Sequence, residues 1–370
     1  MKEEIPLYEK KISRSQFGAF AYVLSTATSL IYVPTVTFKI ARQDGWISLI
    51  FSYMAGIFGI LMIHTLIRHY PGKTLVQYTP IALGRIIGKI IGGLYIWFYF
   101  HVAVIILREI TDFTGTYVLD KTPVVVIVSL LVIVCAYAAY GGVECLGRLM
   151  IIIAFLSIIA NISLLIFVIE KLDFDKLLPI FDRKLALPII KGSIIPSAWL
   201  GEIVLMATYL PMLQEEKKGK NTLLIILTFS VMLLMITDIF AIAVYGLLTA
   251  SFEYSVFNLA RIINIADFFE RVDPAYLAVW VAAIFGKVSL FYLAIVKEIA
   301  HWLKLTDYRI TIIPVGILLV ISSVTLFSNT SEMIQFLSYT FPSYAFIFEY
   351  VIPSLVLIVT GIKQRLTQSK

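Results

Sequence analysis

Ten apolar runs, separated by short polar connections, divide the 370-residue chain. A helix needs about 20 apolar residues to traverse the hydrocarbon core of a bilayer. The runs fall near 17–38, 46–68, 86–112, 122–140, 149–170, 187–213, 222–250, 274–302, 310–328 and 334–362. Several exceed the minimum, which predicts tilt or interruption. Turn signals punctuate them at Tyr70-Pro71-Gly72-Lys73 and at Gly141-Gly142. The longest connection, about 171–186, carries Pro179 and mixed charge, and 257–269 reads as a short amphipathic surface helix. No segment is long enough for a separate soluble domain. The pattern predicts an all-α membrane protein with ten transmembrane helices in a single domain.

Composition supports that class. Hydrophobic residues make up 60% of the chain and charged residues only 15%, against roughly half and a quarter in soluble domains. The net charge of +6 does not point to nucleic acid, because Lys and Arg lie between the apolar runs, where they set topology. Of the 30 cationic side chains, 18 fall on one side, 11 on the other, and Lys287 lies within a run. The richer side holds both termini, which predicts that both are cytoplasmic. Cys135 and Cys145 have no metal-type spacing and read as small buried hydrophobes. The first run lacks a cleavage signature and reads as a retained helix.

Two runs carry sequence that breaks helices. The first contains Ser25-Thr26-Ala27-Thr28-Ser29 followed by Pro34, and the sixth contains Pro196-Ser197-Ala198-Trp199-Leu200-Gly201-Glu202 followed by Pro211. Proline removes a backbone donor and glycine loosens the chain, so both segments can unwind locally. Unwinding in mid-membrane is tolerated only where the freed backbone faces protein or a watery cavity. Transporters place their sites at such matched breaks. Free N–H groups attract an anion and free C=O groups a cation, so a zwitterionic amino acid fits. The other reading is an intact helix, in which Ser and Thr bond back to their own turn.

Charges at membrane depth are the second signal. Each costs about 2.5–3.5 kcal/mol at a helix centre. Lys287 is central in the eighth run; Glu202, Asp238 and Glu349 are central in the sixth, seventh and tenth; His101 lies in the third. Lys287 requires a carboxylate or helix carbonyls, or loses its proton. It reads either as a titrating stand-in for a coupling cation or as one half of a static ion pair. Glu202 reads as a site residue because it sits in the suspected break, whereas Asp238 and His101 read as structural. No phosphate loop, metal cluster or nucleophile–base pair occurs at useful spacing, so neither enzyme chemistry nor a cofactor is expected.

The residues resemble a known family. Ile12-Ser13 with Gln16, Pro34, Asp44-Gly45-Trp46, Tyr70-Pro71 with Thr74-Leu75, Gly141-Gly142, Leu200-Gly201, and Phe269-Glu270-Arg271 with Trp280 occur in the order and spacing of the GerAB-type spore germination proteins. These are B subunits of nutrient germinant receptors, in the amino acid/polyamine/organocation transporter superfamily. The resemblance implies a LeuT-type fold with 5+5 inverted repeats, about 12–170 and 187–365, and with helices 1 and 6 broken. It implies a receptor subunit in the spore inner membrane that senses an amino-acid-type germinant beside an A subunit and a C subunit lipoprotein. The implied pocket uses Ala27 and Ser29, Leu200 and Gly201, and Lys287 with Phe291 one turn on. With the residues already named, the candidate ligand site comprises Ser25, Thr26, Ala27, Thr28, Ser29, Trp199, Leu200, Gly201, Glu202, Lys287 and Phe291, walled by helices 3, 8 and 10. In that family Gly-x-Gly is usual where this chain has Ala27 and Ser29, and a residue often separates glycine from Glu where Glu202 directly follows Gly201. A proton-coupled amino acid permease and a ligand-free scaffold are the competing functions.

Overall fold

In hydrocarbon only a helix or a closed barrel satisfies the backbone polar groups, and this chain uses helices. The computed structural model describes residues 11–263 and 272–368. Among them no strand forms beyond a single parallel bridge between Ile12 and Leu213. The helices are α1 (Arg14–Thr26), α2 (Ser29–Ala41), α3 (Gly45–His69), α4 (Leu75–Leu83), α5 (Arg85–Tyr117) and α6 (Val124–Val168). The second half adds α7 (Ala186–Gly192), α8 (Ile194–Gly201), α9 (Met206–Tyr209), α10 (Gly219–Tyr245), α11 (Ser255–Arg261) and α12 (Asp273–Leu303). The chain ends with α13 (Ile312–Thr325), α14 (Thr330–Gln335), α15 (Phe341–Phe346) and α16 (Ile352–Gln368).

Eight helical runs among the described residues are long and apolar enough to cross a membrane. Two of them, Arg14–His69 with 56 residues and Val124–Lys171 with 48, far exceed the ~20 residues that one crossing needs. Each holds a residue of positive φ between its halves: Arg42 at 51° and Gly142 at 81°. Each long run is thus interrupted near its middle, which divides it into two stretches that are each long enough for a crossing. Gly142 is half of the anticipated Gly-Gly turn, where a side chain would strain the left-handed backbone. Large apolar side chains such as Phe58, Ile86, Ile133, Phe155 and Ile313 are exposed along the outer helix faces. Patches of that kind mark a lipid surface, and the protein is an integral membrane protein.

Burial ranks the helices. In its most apolar stretch the sixth run is 83% buried and α12 is 78% buried, against 33% for the run ending in α16. The sixth run and α12 therefore form the centre, and α1 joins them with every residue from Gln16 to Thr26 buried. A backbone tie fixes α1 to the end of the sixth run: Ile12 N–H donates to Met212 O at 2.9 Å and Gln214 N–H to Ile12 O at 3.0 Å.

Several expectations need correction. The helix α4 occupies what reads as a plain linker; Gln77 accepts from the Thr74 backbone N–H at 2.9 Å to cap its start. Arg108 and Lys297, counted as loop charges, are buried in α5 and α12. Removing one from each side leaves the topological bias in place. Cys145 is exposed, whereas Cys135 is buried as expected. The surface helix read at 257–269 is described only as α11, with Phe257, Leu259 and Ala260 buried; residues 264–271, including Phe269-Glu270-Arg271, lie outside the described residues.

Candidate ligand site

Both suspected segments interrupt their helices, in different ways. The first run stops at Thr26 and restarts at Ser29. Ala27 (φ −56°, ψ −44°) and Thr28 (φ −93°, ψ −40°) stay in the right-handed helical region. The break is thus a narrow dislocation rather than an open loop, as expected where Ala and Ser stand in place of two glycines. In the sixth run α8 ends at Gly201 and Glu202–Leu205 tighten into a 3-10 turn before α9. A mid-helix 3-10 stretch marks a hinge or strain.

Lys287 joins the two interruptions. Its Nζ lies 2.6 Å from Glu202 Oε2 and donates to Thr28 Oγ1 at 2.7 Å. The side chains of Lys287 and Glu202 are 0% and 2% exposed, so the pair is shielded from water and from salt. Nearby, Trp280 Nε1 donates to the carbonyl of Ala27 at 2.8 Å, satisfying a group that the dislocation frees. Trp280→Phe removes that donor and leaves the carbonyl buried and unpaired. The expected cost is about 1–3 kcal/mol, read as a lowered unfolding midpoint. Beside Trp280, a cavity of about 10 Å³ lies among Thr26, Ala27, Ser157, Asn161 and Tyr276, room for roughly one water.

The remaining candidates divide by what they touch. Thr26 Oγ1 donates back to Tyr22 O at 2.7 Å, so its hydroxyl is committed within the helix, and Ser25 is buried. Ser29 Oγ is buried without a hydrogen-bond partner among the described residues. Trp199 packs on Tyr32 with ring centroids 5.9 Å apart, and Leu200 is buried beside it. Gly201 lies against the tenth run: a Cβ there would overlap the Glu349 carboxylate and the Tyr350 hydroxyl. Phe291 meets Tyr99 of α5 edge-on at 6.2 Å, one turn from Lys287. His101 stacks on Trp97 and contacts the Tyr344 hydroxyl at 3.2 Å. Asp238 accepts from Thr37 Oγ1 at 2.9 Å. Both have a partner on another helix, although Asp238 Oδ1 is buried without one among the described residues.

Two residues escaped the sequence reading of the site. Glu109 on α5 is 2% exposed and its Oε1 has no hydrogen-bond partner among the described residues. It senses the charges of Lys287 and Glu202. Glu349, noted only as central in its run, is 1% exposed with both carboxyl oxygens unpartnered among the described residues, and it lies near the same pair. Glu349 sits in a π-helical turn, Ile347–Val351, and a second such turn spans Phe336–Thr340. Turns of this type recur at functional positions. The charged triplet Arg108, Glu109 and Asp112 inside an otherwise apolar helix was the available signal for Glu109.

Comparison with known proteins gives this geometry a family. The family model described as spore germination protein matches residues 11–331. The chain belongs to the spore germination protein family. Among its relatives, spore germination protein KB of Bacillus subtilis (strain 168) is 23% identical over 96% of both chains. Spore germination protein A2 of the same organism is 26% identical, covering 95% of this chain and 96% of the relative. Among solved structures, MhsT in complex with L-phenylalanine superposes with a TM-score of 0.66 at 15% identity, over 96% of this chain and 89% of that one. The nucleobase-cation-symport-1 family transporter MHP1 gives 0.61 at 9% identity, over 97% and 80%. These likenesses establish the LeuT-type fold for this germination protein.

Proposed function

We propose that this protein is the nutrient-sensing B subunit of a spore germinant receptor, binding an amino-acid-type germinant between the broken helices 1 and 6. Helices 3, 8 and 10 wall the site through Glu109, Lys287 with Phe291, and Glu349. The observation that carries the reading is the Lys287 ammonium bridging Thr28 in one break to Glu202 in the other, in a chain whose relatives are germination proteins. A ligand that replaces either bond changes how the two interrupted helices are held, and so favours one conformation by its differential affinity. The amino-acid class is supported by the solved MhsT complex with L-phenylalanine, which shares the fold. The protein then works as one unit, with inverted repeats at about 12–170 and 187–365. It lies in the spore inner membrane with both termini cytoplasmic, beside an A subunit and a C subunit lipoprotein.

Equilibrium dialysis of the purified protein against the twenty amino acids and common nucleosides tests this. Saturable binding of at least one amino acid is expected, and no binding would overturn the reading. A proton-coupled amino acid permease is the second reading, favoured by the ammonium at the junction of the breaks. Uptake of a radiolabelled amino acid by vesicles holding this chain alone would select it over the receptor.

A further inference from the structure

Among the described residues, the proposed site contains more carboxyl groups than its one ammonium can pair with. Glu202 is paired with Lys287 at 2.6 Å. Among the described residues, Glu349 lies directly behind Gly201 in the sixth-run break with both carboxyl oxygens unpartnered, and Glu109 lies on α5 with Oε1 unpartnered. All three carboxyls are at least 98% buried. The other two buried cations among the described residues, Arg108 and Lys297, lie against other groups. Arg108 pairs with Asp112 at 2.9 Å and reaches the Val324 carbonyl at 3.4 Å. Lys297 lies ten residues further along α12, against Met212 and the Tyr308 ring.

An uncompensated carboxylate at membrane depth is costly, so these carboxyls hold a proton until a cation replaces it, and an ammonium from outside the site's own side chains can do so. A zwitterion brings none in net terms. Its carboxylate would add a further acidic group, competing with Glu202 and Thr28 for Lys287. A molecule with more ammonium groups than carboxylates supplies what is missing. Tyr32, Trp199 and Trp280 adjoin the breaks, and their ring faces favour a cation.

We infer that the ligand carries a net positive charge, as a dibasic amino acid or a diamine does, with an ammonium held at Glu349 or at Glu109. This inference rests on the proposed mid-membrane nutrient site. The test compares L-lysine, 1,5-diaminopentane, L-norleucine and L-alanine in titrations of the full-length protein in nanodiscs. L-Norleucine has the lysine chain without its terminal ammonium. L-Lysine or the diamine is expected to bind at least tenfold more tightly than L-norleucine. In Glu349→Gln the lysine-to-norleucine preference is expected to fall to within about threefold, and Glu109→Gln provides a second variant should the first fold poorly. A neutral amino acid that binds as tightly as the cationic probes overturns the charge inference and leaves nutrient binding intact. Failure of all four probes and of the twenty amino acids removes both.

Discussion

Replacing Lys287 with methionine is expected to destabilise the protein by about 3–5 kcal/mol, because it leaves Glu202 buried without its counter-charge. The ammonium lies 2.6 Å from Glu202 and 2.7 Å from Thr28 Oγ1, and water reaches neither partner to compensate. The double variant Lys287→Met with Glu202→Gln removes both charges together and is expected to recover most of that loss, since neutral groups of similar size avoid the desolvation penalty. Thermal unfolding of the wild type, both single variants and the double variant in one detergent gives the coupling energy. A double variant no more stable than Lys287→Met alone would show that the pair does not hold the breaks together. The same series addresses function. Ligand affinity that is unchanged in a well-folded double variant would make the pair a static strut, the second reading that the sequence left open.

Gly201→Leu is expected to abolish binding, a loss of at least 100-fold in affinity. The reason is steric and specific: even a single methyl at this position overlaps the Glu349 carboxylate and the Tyr350 hydroxyl. Tyr350 donates to the Ser197 carbonyl at 3.0 Å, so the tenth run has little freedom to retreat. Gly201→Ala is expected to give an intermediate loss, because the displaced Glu349 turns away from the break without the wall being filled. Wild-type affinity in Gly201→Leu, measured by the same titration, would move the ligand away from the sixth-run break.

Much of this was legible in the sequence because lipid imposes a simple rule. An apolar run of about 20 residues must be helical at membrane depth, so the spans could be placed from hydropathy alone, and Gly141-Gly142 marked a reversal. The two interruptions were legible because Pro, Gly and clustered hydroxyls have few other uses in such runs. What stayed hidden was register. Helices buried on several sides are apolar all round, so periodicity does not say which face points inward. Arg108 and Lys297 therefore passed for loop charges, and Glu109 was overlooked close to the expected end of the third run. The π-helical turns at Phe336–Thr340 and Ile347–Val351 shift the register of the tenth run in a way no local pattern announces, and Glu349, which lies against Gly201, sits in one of them. The narrowness of the first break was equally hidden, since hydroxyls such as that of Thr26 can bond within an intact turn or face a ligand with the same sequence.

The central claim, that a small molecule enters between the breaks, is tested most directly at Ser29. Its hydroxyl is buried in the first break without a partner among the described residues, and Ser29→Cys preserves its size. With exposed Cys145 replaced by serine, alkylation of Cys introduced at position 29 can be timed with and without the amino acid that binds best in dialysis. Protection of at least tenfold at saturating ligand is the expected result. Equal rates in its presence and absence would contradict the account.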